Sequence, residues 1–125
     1  MLDITFLVLH TALVVFNLGG WIFERTRILH LCSLGITIGS WFVFAPWFGL
    51  GYCPCTDWHW DIKRAMGQTD LPNNYMTYLF DCWGITITDT MASEFAWKTT
   101  AVALAIAVGI QIYKKVKGLK CLKLA

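Results

Sequence analysis

The chain has 125 residues, 57% of them hydrophobic and 14% charged, with a formal net charge of +2. A length of that order holds one domain, and the charged share falls well below the ~25% of ordinary soluble proteins. No phosphate-binding glycine loop, no Ser, His and Asp arrangement and no basic aromatic patch outside the tail is present, which argues against nucleotide or nucleic-acid binding. The seven tryptophans read instead as membrane-interface belts and core filling.

A bilayer core about 30 Å thick takes about 20 helical residues to cross, and three runs meet that length. They are Ile4 to Phe23, a second within the uncharged stretch Ile28 to Thr56, and a third from about Phe95 to Tyr113. The expected fold is an all-α integral membrane protein with three transmembrane helices, over about 3–24, 28–48 and 92–114. Two short interfacial amphipathic helices are expected in an outer lid, 49–90, and a tail follows, 115–125. Asp3 stands where a signal peptide would carry Lys or Arg, and no small-residue cleavage site follows, so the first helix is expected to be retained.

Within the first run, Asp3, His10, Asn17 and Glu24 recur every seven residues. Seven residues is close to two helical turns, so these groups form one narrow polar stripe that must face protein rather than lipid. A link of a few residues containing Glu24, Arg25 and Arg27 returns the second helix antiparallel. That helix carries its own polar face, His30, Ser33, Thr37, Ser40 and Trp41, with Gly35 and Gly39 nearby. Pairing the two faces places Glu24 near His30 as an interfacial ion pair, Asn17 near Ser33 or Thr37, and His10 near Ser40 and Trp41. Gly19, Gly20, Gly35 and Gly39 suit close backbone approach.

Pro46 ends or kinks the second helix at about Ala45. Thr56 or Asp57 is expected to cap a short helix that Gly67 stops, with Trp58, Ile62, Ala65 and Met66 on one side and Lys63 and Arg64 pointing elsewhere. The segment YMTYLFDCW after an Asn pair is expected to form a second interfacial helix, and Glu94 and Lys98 are spaced to pair at the edge of the third span. Seven of the ten Lys and Arg residues lie in the first link and the tail. The positive-inside rule therefore puts the N-terminus and lid outside and the tail in the cytoplasm. Membrane lipids are expected partners.

The sequence LHTALVVFNLGGW, then ILHL, then CPCTDWHW and a cationic helix closing at AMG resembles a family of small bacterial membrane proteins known as domain-of-unknown-function family 2784. The resemblance rests on Leu9 and His10, Gly19 and Gly20, Leu29 and His30, and Cys53, Pro54 and Thr56. It implies a three-span layout with a long outer segment and brings no activity with it. Relatives carry an apolar residue where this chain has Cys55 and an acidic residue where it has His59.

Candidate chemistry gathers at the outer end. His10, Asn17, Ser40 and Trp41 beneath a loop bearing Cys53, Thr56 and His59 form a ligand-binding candidate for a lipid, a quinone head or a haem edge, while Glu24, His30, Ser33 and Thr37 are structural polar contacts. At 1.5 Å per residue His10 and His30 sit about 20 Å apart along the helix, so haem b would need His10 with His59 or a neighbouring chain. Cys53, Cys55 and Cys82 share the oxidising compartment, and Cys55 with Cys82 is the favoured disulfide because Cys55 is the extra residue relative to the family. No metal site is expected. Three helices leave little room to enclose a substrate, so the primary expectation is a non-enzymatic accessory or scaffold subunit docked against other membrane-protein subunits; a haem, quinone or lipid site built on His10 and the Cys53–Thr56 loop is the alternative.

Overall fold

A computed structural model describes residues 1–124, with side chains through Leu119; of the basic tail, Lys120, Cys121 and Lys123 have side chains outside the described part. Six α-helices follow in order: α1 (Leu2–Gly19), α2 (Arg27–Val43), α3 (Ala45–Phe48), α4 (Pro54–Ala65), α5 (Tyr75–Cys82) and α6 (Asp89–Leu124). Among the described residues there is no strand, and three helical segments are long and apolar enough to cross a membrane: Leu2–Gly19, Glu24–Val43 and Asp89–Leu119. The chain is an all-α membrane protein.

Its packing follows from that solvent. Leu2, Ile4, Val8, Leu9 and Val15 on α1 and Ile28, Leu29 and Ile36 on α2 are exposed, an outward greasiness that suits a hydrocarbon surrounding. Inside, the contacts are small or polar. Thr100, Ala103 and Ala107, spaced three and four apart, are buried along α6, and such short side chains let neighbouring backbones close in. At the α1 C-terminus a Cβ on Gly20 would lie 2.7 Å from the Phe16 carbonyl oxygen and 2.8 Å from His30 Cδ2, so this position demands glycine. Gly35 and Gly39 have open space beside them, contrary to the expected close approach there.

A turn of 3₁₀ helix, Glu24–Thr26, reverses the chain into α2. Thr26 Oγ1 bonds the Gly20 carbonyl at 2.8 Å and Arg27 Nε bonds the Trp21 carbonyl at 3.0 Å, so the turn's orphan acceptors are met locally. Lys114 of α6 pairs with Glu24, which brings the basic turn and the basic end of α6 to one side. The opposite end is roofed by α4 and α5, of which α4 packs on α1 and α5 on α6. Pro46 breaks the second helix as expected, with Phe44 between α2 and α3. α4 starts two residues earlier than expected, at Pro54, whose missing N–H and preset φ suit a first helical position. Asn74 caps α5, its side chain accepting from Met76 N at 2.8 Å.

Candidate functional site

The polar stripe of α1 faces protein along its length, and each level meets a different partner. At the innermost level Asn17 Nδ2 donates to Thr37 Oγ1 at 3.0 Å while its Oδ1 accepts from Ser33 Oγ at 2.7 Å. Its backbone carbonyl accepts from Nε2 of the fully buried His30 at 2.8 Å. Thus His30 does not pair with Glu24, as the sequence suggested. Glu24 is exposed and pairs with Arg27 and Lys114, because the helical turn at 24–26 carries its carboxylate outward while His30 rotates under Gly20.

At the outermost level Asp3 Oδ1 accepts from His59 Nε2 at 2.8 Å and from Lys63 Nζ at 2.9 Å. His59 and Lys63 are four residues apart, so both point from one face of α4 into the protein, where they are buried. This overturns the expectation that Lys63 points away with Arg64, and it leaves Trp58 exposed on the outer side. Burial opposes the Lys63 ammonium, but its contacts with Tyr78 and Asp3 prevail and raise its pKa above the ordinary 10.5. The ring face of Tyr78, its centroid 4.8 Å from Lys63 Nζ, completes an aromatic floor with Trp60 and Tyr75.

Between these levels lies His10, only 6% exposed. Its ring stacks on Tyr75 with centroids 3.7 Å apart, and its Nε2 lies 4.0 Å from Cys53 Sγ. Tyr75 is itself fixed, its hydroxyl 2.9 Å from Thr11 Oγ1 and donating to the Leu7 carbonyl at 3.2 Å. Burial raises the Tyr75 pKa, so the phenol stays protonated. Nδ1 of His10 has no hydrogen-bond partner, which costs about 1–3 kcal/mol for a buried polar atom.

His10 opens on a cavity of about 200 Å³ that runs down α1 past Leu13 and Val14 to Asn17 and Leu18. Eight residues of helix correspond to about 12 Å of depth. Trp41, Thr37 and Thr100 form the far wall, and Tyr52, Cys53, Thr56 and Asn74 form the mouth under the lid. A second hollow, shared with Trp41, Tyr52 and Asn74, continues towards Asp89 and Trp97. The hydrogen bonds Asn74 Nδ2 to Ser93 Oγ, 2.9 Å, and Thr77 Oγ1 to Asp89 Oδ1, 2.6 Å, hold α5 against α6 at this edge.

Of the candidate ligand-binding residues, His10, Asn17, Trp41, Cys53 and Thr56 share this cavity. Ser40 does not, since its hydroxyl turns back to the Thr37 carbonyl at 2.7 Å within its own helix. His59 lies behind the wall, fully enclosed and held by Asp3, so it and His10 do not face one iron. The cavity also falls short of the ~300 Å³ at which drug-sized ligand sites begin, which a haem macrocycle exceeds. Cys32, Cys53, Cys55 and Cys82 are free thiols, and among the described residues no disulfide forms. Cys82 is exposed on the last turn of α5 while Cys55 is half-buried in α4, so the expected bridge between them is replaced by side-chain ties such as Trp60 Nε1 to the Pro72 carbonyl, 2.8 Å.

Sequence reasoning missed Tyr75, Lys63 and Thr100. The signal for Lys63 was its four-residue spacing from His59, and for Thr100 the small-residue face it shares with Ala103 and Ala107. No curated protein and no solved structure matches the chain. The family described as Protein of Unknown function (DUF2784) matches residues 1–113, the whole of the lid and its cavity included, and the chain belongs to that family.

Proposed function

We propose that this protein is a small inner-membrane protein that holds the head and upper chain of a lipid-like amphiphile in the cavity under its lid. The observation that carries this is the pairing of a mostly apolar shaft, lined by Leu13, Val14 and Leu18, with a polar mouth at His10, Tyr52, Thr56 and Asn74. Apolar surface along the shaft suits an acyl or prenyl chain, and the few convergent polar groups suit an ester, hydroxyl or quinone oxygen.

The orientation follows from charge. Arg25, Arg27, Lys114, Lys115 and Lys117 lie towards one end, opposite the lid with Asp57, Asp61 and Asp81, which supports a periplasmic lid and a cytoplasmic tail. Labelling of the exposed Cys82 in spheroplasts with a membrane-impermeant maleimide checks it; protection of Cys82 until the membrane is opened overturns it.

Native mass spectrometry of gently extracted protein tests the binding. A retained amphiphile is expected for the wild-type chain, and its loss is expected for Val14→Trp, which fills the shaft while leaving the helix content by circular dichroism unchanged. Wild-type protein that carries none, and whose Trp41 fluorescence brominated lipids fail to quench, overturns the proposal. A second role, as an accessory subunit of a larger membrane complex, is supported by the exposed side chains of Phe23, Ile28, Ile36, Val102 and Ile112, and crosslinking to a stoichiometric partner in intact membranes is its test.

A further inference from the structure

The cavity mouth holds a thiol and an imidazole whose placement goes beyond binding. Cys53 is the N-cap residue of α4, a helix of 12 residues, and its sulfur lies 4.0 Å from His10 Nε2. Both residues line the shaft. His10 is immobilised by its stack on Tyr75, and Tyr75 by Thr11 and the Leu7 carbonyl, so the imidazole is held in place from behind. The partial positive charge at a helix N-terminus stabilises anions, although the Thr56 and Asp57 N–H groups of this one already bond the Cys53 carbonyl. A thiol beside an imidazole at such a terminus, opening onto an apolar shaft, is the arrangement of a nucleophile with its base.

We infer that Cys53 is a catalytic nucleophile, with His10 as its general base, for acyl transfer from an ester whose carbonyl lies at the mouth and whose upper acyl chain enters the shaft. This rests on the amphiphile site proposed above. The thiol proton passes to His10 Nε2 as Cys53 Sγ bonds to the ester carbonyl carbon, and the α4 N-terminus faces the charge that gathers on the carbonyl oxygen. The carbon to alkoxide bond then breaks, His10 returns the proton to the departing alcohol, and an acyl thioester remains on Cys53. Water attacks the thioester with His10 again taking a proton, which releases a carboxylic acid and restores the thiol. Cys55, half-buried like Cys53, is not the nucleophile: it does not line the shaft, and burial together with the neighbouring Cys53 raises its pKa and keeps it protonated.

The full chain in nanodiscs, treated with p-nitrophenyl laurate, tests this. A burst of about one equivalent of p-nitrophenolate is expected, with one lauroyl group on Cys53 by peptide mass spectrometry, released by neutral hydroxylamine. Cys53→Ser should lose the burst and the adduct, and Cys55→Ala should keep both. His10→Gln should slow the burst by at least about 100-fold, the lower range for a general base. Acylation spread evenly over Cys32, Cys55 and Cys82, or a burst that survives in Cys53→Ser, overturns the inference. Bound lipid retained by a wild-type protein that never acylates defeats the nucleophile and spares the binding site, whereas loss of both defeats the two together.

Discussion

The two ends of the α1 polar stripe are built from the same residue types and behave differently. Around Asn17 the stripe is closed: both side-chain heteroatoms and the backbone carbonyl are engaged by Thr37, Ser33 and His30. Around His10, seven residues further out, the partners are an aromatic face and a sulfur, and a cavity opens beside the ring. Where two helices run side by side in lipid, unmet polar groups are costly and the seam closes on itself. Where the lid covers the outer end, the stripe meets loops and aromatic rings that leave space, and a ligand can occupy it. The inner end thus serves cohesion and the outer end serves binding.

That contrast is most strongly tested at its outer limit. Asp3→Ala removes the carboxylate that neutralises the buried Lys63, and loss of one partner of a buried pair costs about 3 kcal/mol. The lid should open, read as faster hydrogen exchange over residues 54–65 with the exchange of α2 unchanged; equal acceleration in both would show that lid and bundle are one cooperative unit.

At the inner end, Gly20→Ala presses a methyl group against the Phe16 carbonyl and His30, an overpacking that costs about 1–3 kcal/mol. Thermal unfolding in detergent should show the loss, with amphiphile retention at the outer cavity preserved in whatever remains folded. Next in size, Asn17→Leu strands the Ser33 and Thr37 hydroxyls at about 1–2 kcal/mol, within the range for hydrogen bonds between membrane helices. Thr11→Val removes only one hydrogen bond to Tyr75 and should cost about 0.5–1 kcal/mol, yet change ligand retention more than Asn17→Leu does, because Tyr75 backs His10.

The pH dependence of the lid separates the two ends in another way. The folded-state pKa of Lys63 is raised above its ordinary 10.5, so its contribution is fully present below that value and is lost as pH rises through the folded pKa. Hydrogen exchange of α4, corrected for intrinsic rates, should stay constant across neutral pH and rise only in strongly alkaline solution. A release near pH 9 would show that Lys63 is not the latch.

The chain order alone determined the three spans, because runs of about 20 apolar residues have one stable solution in a bilayer. The same holds for the inward stripe: a seven-residue recurrence of Asp3, His10, Asn17 and Glu24 survives any packing, since helical periodicity decides which residues share a face. Asn17 with Ser33 and Thr37 was legible for that reason, as two adjacent antiparallel helices leave little choice of partner. The lid was not. Whether α4 buries Trp58 or Lys63 depends on Asp3, more than fifty residues away, and a buried ammonium becomes favourable only when that carboxylate is in reach. His10 lies under the Cys53 loop as expected but stacks on Tyr75 rather than meeting Ser40, since connecting segments between helices place their side chains by long-range contacts that no local periodicity encodes.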